Sequence, residues 1–123
     1  MEHTWRTLPR DTAECPVDRT LQVMEGRWAT LVVRELLSGP MRFGELRAAL
    51  PGISPKTLTD RLRHLEAHGV LTRHAYAEVP PRVEYRLTDR GRRLERILLA
   101  LWEWGHADLV PVPAAPERQP GGG

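Results

Sequence analysis

In 123 residues the chain has one cysteine, one phenylalanine and a single lysine. The lone Cys15 excludes an intrachain disulfide and a cysteine-based zinc cluster. No apolar run approaches the length of a membrane span, so no membrane association is expected. The first residues, with Glu2, His3 and Trp5, show no charged-then-apolar signal pattern, and a cytoplasmic location is the expectation. The chain also lacks a glycine-rich phosphate loop, a nucleophile–base–orienter set and a cluster of metal ligands. Neither an enzyme nor a cofactor or metal site is therefore expected.

What is present is arginine. Only Lys56 breaks an otherwise complete preference among the 18 basic residues, and the arginines concentrate between Arg61 and Arg96. Arginine suits bidentate contacts to phosphates and base edges, so this basicity is what a nucleic-acid partner would require. A compositional bias inherited from the genome would produce the same preference. The net charge is only +2, so the distribution of charge is more informative than its sum. Apolar residues at 41% and charged residues at 28% describe an ordinary globular domain, and the length allows one such domain with a modest core.

Taken in order, residues 1–14 lack periodicity and read as a flexible arm. Pro16 opens a short helix to about Glu25, with Val17, Leu21 and Met24 on one side and Gly26 as its stop. Arg27–Ser38 is a stronger helix: Trp28, Leu31, Val32, Glu35 and Leu36 give the three-four rhythm, and Gly39-Pro40 ends it. Phe43, Leu46 and Leu50 mark a third helix, and Pro51-Gly52 turns into a fourth, Ser54–His68. In this fourth helix Ser54 is the N-cap, Pro55 takes the first helical position and Gly69 ends the helix. Leu58, Leu62 and Leu65 share its inward face, while Lys56, Thr59, Asp60 and Arg63 fall near the opposite one. Val70–Tyr76 and Val83–Leu87 alternate as strands around a proline-rich turn, Ala77–Arg82. Leu71 is expected inward, Arg73 outward, and Val83, Tyr85 and Leu87 on one face. Thr88 caps a last helix, Asp89 to about Asp108, and the proline- and glycine-rich residues 110–123 read as a disordered tail.

Two short helices joined by a glycine-containing turn, the second with a polar front, form the helix-turn-helix pattern, and the hairpin after it forms a wing. The fold expected for residues 15–109 is α+β, mainly α: a winged helix-turn-helix with a two-stranded wing and helices at either end. Lys56, Thr59, Asp60 and Arg63 would meet base edges or phosphates in a major groove. Arg47 would touch the backbone, and Arg73, His74, Arg82 and Arg86 would make the wing positive. The plainer readings are an amphipathic surface helix and a solvated hairpin with ordinary edge-strand charges. Asp60 would either accept from a cytosine amino group or pair with Lys56 or His64 one turn away. Leu94, Ile97, Leu98, Leu101, Trp102 and Trp104 cover more of the last helix than one small domain can bury, which is a dimer signal.

The strings CPVDRTLQVMEGRW (15–28), LLSGPMRFGELRAALPGISPKTLTDRLRHLEAHGVL (36–71) and YAEVPPRVEYRLTDRGRRL (76–94) give the chain a specific likeness. It resembles the HxlR family of bacterial winged helix-turn-helix transcription regulators, relatives of the MarR type. The resemblance covers about residues 13–108. It implies a nucleoid-associated homodimer, a repressor in the simplest case, built from the first and last helices and bound to pseudo-palindromic double-stranded DNA. By position, Ser54, Pro55, Lys56, Thr57, Thr59, Asp60 and Arg63 match the recognition helix and Arg82 the wing tip. Thr59, Asp60 and Arg63 are expected to discriminate bases, and Lys56, Arg47, Arg82 and Arg86 to hold phosphates. Leu21, Leu98, Leu101, Trp102 and Trp104 are expected at the dimer interface.

Cys15 precedes Pro16 at a helix N-terminus, with Arg19 one turn on. The resemblance adds that several family members use a cysteine here to sense quinones, aldehydes or oxidants. A small electrophile or oxidant is thus a candidate partner, and the alternative is a small hydrophobe packed in an interface. His64 and His68, one turn apart, have metal-ligand spacing but no evident third ligand, so solvated or phosphate-contacting histidines are expected. A competing function is a winged helix that docks protein rather than DNA. It would need an apolar recognition face, which Lys56, Thr59, Asp60 and Arg63 do not provide.

Overall fold

The computed structural model describes residues Cys15–Ala107. The expected arm (1–14, with Trp5), the tail (110–123) and the end of the last helix at Asp108 lie outside the described residues. The elements are α1 (Pro16–Val23), α2 (Arg27–Leu36), β1 (Met41–Arg42), α3 (Phe43–Ala49), α4 (Pro55–Ala67), β2 (Leu71–Tyr76), β3 (Arg82–Leu87), α5 (Asp89–Arg92) and α6 (Leu94–His106). None of these helices is long and apolar enough to cross a membrane.

The core forms where the helical stripes meet. Leu58, Leu62 and Leu65 of α4 are buried with Val32 and Leu36 of α2 and Leu46 of α3. Ala29, Val33, Leu50, Ile53, Val70, Leu71 and Leu87 complete the cluster, and Trp28, Leu31, Phe43, Tyr85, Leu94 and Leu98 pack against it half-buried. Burying a leucine side chain stabilises by about 1.5–3 kcal/mol, so the three leucines of α4 hold that helix firmly by its back. Helix α1 is the opposite case, with Val23 as its single buried residue.

The sheet has three strands, not the two expected of the hairpin, in the order β1-β3-β2 and antiparallel throughout. Met41 pairs with Tyr85 and Arg42 with Glu84. A two-residue strand carries no periodicity, which is why the sequence did not reveal it. Across the hairpin Leu71 faces Leu87, Arg73 faces Tyr85 and Tyr76 faces Arg82. Leu71 and Arg73 therefore share one face, because strand side chains alternate with a period of two. Leu71 is buried and Arg73 exposed as expected, but Arg73 reaches solvent by continuing the same face beyond the core's edge.

The expected single last helix divides at Arg93 into α5 and α6. Arg93 keeps a helical backbone with φ −67° and ψ −15°, so the change is a local tightening rather than a corner. Thr88 caps α5 by accepting from the Gly91 N–H at 3.0 Å. Its own N–H donates to the Val70 carbonyl at 3.0 Å, and its hydroxyl to the Gly69 carbonyl at 2.6 Å. This junction leaves no room at Gly91, where an added Cβ would overlap the Val70 carbonyl oxygen. Gly91→Ala should therefore lower stability by about 2 kcal/mol or more. Gly105→Ala, with nothing within 4 Å, should leave it unchanged or raise it by up to about 1 kcal/mol. Thermal melts of the two variants beside wild type check both.

Candidate nucleic-acid interface

Helix α4 begins on a complete cap. Ser54 Oγ accepts from the Thr57 N–H at 3.0 Å and donates to Thr57 Oγ1 at 2.9 Å. Pro55 follows at the first helical position. Ser54 and Thr57 thus both fix the helix start, and their hydroxyls are partly committed to each other. The left-handed Gly69, at φ 73°, ends the helix and lets the Val70 N–H reach the Leu65 carbonyl at 2.9 Å.

With the back of α4 buried, its remaining faces divide cleanly. One flank turns toward the end of α1: His64 Nε2 lies 2.9 Å from the Gln22 carbonyl, and Arg61 reaches the Glu25 carbonyl at 3.5 Å. His64 is thereby removed from the outer face. Its ring also meets that of His68 edge-on at 4.6 Å. The front carries Lys56 and Arg63, both exposed, beside half-exposed Thr59 and Asp60. Lys56 Nζ and Asp60 Oδ2 are 3.1 Å apart, so of the two pairings expected for Asp60 the lysine is the partner. Both side chains remain open to solvent, and such an i,i+4 pair contributes only about 0.3–0.5 kcal/mol. Asp60 can exchange Lys56 for another donor at little cost. Arg47 stands exposed on α3.

The wing is less open. Arg82 lies 4.0 Å over the Tyr76 ring and forms ion pairs with Glu78 at 3.0 Å and Glu84 at 3.6 Å. Arg86 pairs with Glu84 at 3.4 Å and donates to the Tyr76 hydroxyl. The Nε atoms of Arg82 and Arg86 are closed off from solvent with no acceptor. The signal was present in the string Arg82-Val83-Glu84-Tyr85-Arg86, where a period of two places the glutamate between the arginines on one face. Arg73 takes the other face. It lines a cleft with Thr59, Leu62, Arg63 and Glu66 of α4 and with Tyr85 of β3, a grouping across two elements that the sequence does not display.

At the other end of the molecule, Cys15 is the half-buried N-cap of α1, and its carbonyl accepts from the Arg19 N–H at 3.0 Å. Leu21, Leu101, Trp102 and Trp104 are 61%, 55%, 62% and 85% exposed, whereas Leu98 packs against the core of its own chain. Of these, Leu21 and Leu101 line a groove between α1 and α6 together with Pro16, Val17, Met24 and Ile97, while Trp102 and Trp104 lie farther along α6.

The profile of the HxlR-like helix-turn-helix family matches residues 23–112. The chain belongs to that family. An HTH-type transcriptional regulator of Synechocystis is 50% identical over 91 residues, covering 74% of this chain and 67% of the relative. Another from Bacillus subtilis, YybR, is 45% identical over 94 residues, or 76% of this chain and 75% of its own. Among solved structures, the redox regulator HypR in its reduced form superposes with a TM-score of 0.71 at 44% identity, covering 76% of this chain and 92% of its own. The reduced form of the transcriptional regulator YodB from B. subtilis gives a TM-score of 0.71 at 31% identity, covering 80% and 98%. The chain is thus a helix-turn-helix transcription regulator with a winged-helix fold, and its relatives are regulators rather than enzymes.

The cap offers a direct check on how the front is held. Ser54→Ala should cost about 1 kcal/mol, and Ser54→Asp, which can also cap, should cost less. The measurement is the shift in urea midpoint at unchanged slope.

Proposed function

We propose that this regulator binds double-stranded DNA as a homodimer, occupying a pseudo-palindromic operator and repressing by that occupancy. The observation that carries the reading is α4, anchored through Leu58, Leu62 and Leu65 and presenting Lys56, Thr59, Asp60 and Arg63 outward. Thr59, Asp60 and Arg63 are the base-reading side chains. Lys56 and Arg47 hold phosphates, and Ser54, Pro55 and Thr57 bring the helix start close to the backbone. A polar, charged front argues against a protein-docking winged helix.

The dimer rests on the open apolar surface of α1 and α6. Helix α6 buries none of its residues within the chain, and apolar exposure on this scale marks an interface. Leu21, Leu101, Trp102 and Trp104 are its contacts, with Leu98 supporting α6 from beneath. To enter successive major grooves on one DNA face, the two α4 helices of such a dimer would have to lie about 34 Å apart. Leu101→Glu should shift the mass measured by light scattering from two chains to one and weaken DNA binding with it.

Cys15 is the proposed switch. Its place at the start of α1, next to this interface, supports the reading, as does the likeness to HypR and YodB. Two subunits would lose two thiol protons and two electrons to an oxidant of the diamide class to form one Cys15–Cys15 disulfide. Alternatively, the sulfur would add to a quinone carbon while its proton ends on the quinone oxygen. A gel-shift titration on the DNA flanking the protein's own gene tests both levels. Specific binding in the reduced state, abolished by oxidant in wild type but not in Cys15→Ser, is the expected result. Binding indifferent to oxidant would remove the switch, and no shift at low salt would remove the DNA-binding reading.

A further inference from the structure

The two faces of the hairpin carry charge differently. On one, Arg82 and Arg86 are set against Glu78 and Glu84, with Tyr76 between them, and the charges cancel. On the other, Arg73 enters the cleft that Arg63 and Glu66 of α4 border, with half-buried Tyr85 as part of its wall. Among the described residues neither Arg63 nor Arg73 has a carboxylate within 4.0 Å, even though Glu66 shares the cleft. Two guanidinium groups that share one cleft with a single carboxylate, and pair with none, repel each other, and an anion between them relieves this. Glu66 leaves the cleft with a single net positive charge. That matches a phosphodiester, which carries one negative charge, and presents two planar donor forks to its oxygens.

We infer that Arg73 and Arg63 clamp one backbone phosphate at the margin of the groove entered by α4, which gives Arg63 to the backbone and leaves base reading to Thr59 and Asp60. Arg82 and Arg86 brace the hairpin and do not supply its DNA contact. The inference rests on the DNA-binding reading and, of the basic wing residues expected near DNA, gives the phosphate contact to Arg73 and not to Arg82 or Arg86 on the other face. The brace keeps β2 and β3 in register, and the register aims Arg73 at α4.

Fluorescence anisotropy of the full chain on a labelled duplex from the DNA flanking its gene, across a salt series, tests the assignment. Arg73→Gln should weaken binding about tenfold and lower the slope of log affinity against log salt by about one per bound subunit. Arg73→Lys, which keeps the charge but not the fork, should restore the slope and only part of the affinity. The double variant Arg82→Gln with Glu84→Gln preserves net charge. It should bind with the wild-type slope and melt at lower temperature, while Arg73→Gln melts with wild type. An Arg73→Gln protein with wild-type slope, or a slope lost equally in the double variant, would overturn the clamp while leaving DNA binding intact. Absence of binding by wild type would instead overturn the DNA-binding reading and the clamp together.

Discussion

The geometry of the molecule depends on the few bonds around Val70. Its N–H satisfies the Leu65 carbonyl at the end of α4, and its carbonyl accepts from the Thr88 N–H. Gly91 lies hard against that same carbonyl. The end of the recognition helix, the first residue before the wing, the last residue after it and the start of α5 therefore meet at one point. Buried backbone groups must find partners, and here the partners belong to three elements at once. The angle between α4, the hairpin and the long C-terminal helix is set at this point, and so is the direction in which Arg73 faces.

Much of this was legible in the chain. The leucine spacing in α4, the Ser54 cap, the Gly69 stop and the Thr88 cap each act within four residues, the range over which helix periodicity and capping operate. They appear in the structure as read. The weak points lay where local pattern is silent. A two-residue strand has no period. The division at Arg93 leaves that residue's backbone helical. Ile53 enters the core from the turn before α4, outside any helical stripe, and the buried stripe of α2 runs through Ala29, Val32, Val33 and Leu36 rather than Trp28 and Leu31.

Charge is the term that sequence reading handles least well, because a residue's sign is visible and its partner is not. Arg82, Arg86 and Arg73 look alike in the string, yet among the described residues the first two form ion pairs with carboxylates and the third forms none. Paired surface charges contribute little stability, about 0–1 kcal/mol each, but they remove charge from the long-range field that DNA would meet. A network of modest energy can therefore have a large effect on where the basic surface lies. Lys56 and Asp60 show the same principle on the recognition helix, where a weak pair leaves both groups exchangeable.

Helix α1 connects the two ends of the proposed mechanism. It buries only Val23, so few contacts hold it in place. Its C-terminal end is nevertheless bound to the recognition helix, through His64 at the Gln22 carbonyl and, just beyond, through Arg61 at the Glu25 carbonyl. Cys15 is at its N-terminal end. A helix of eight residues is rigid over its length of about 12 Å, so a displacement imposed at Cys15 would be delivered to the flank of α4 rather than absorbed within α1. A loosely packed helix with a polar link to α4 suits the proposed thiol switch: it would move at low cost and carry the displacement to the proposed DNA-facing helix. His64 and Arg61 lie half-exposed on the α1 flank of α4, where both reach carbonyls at the end of α1.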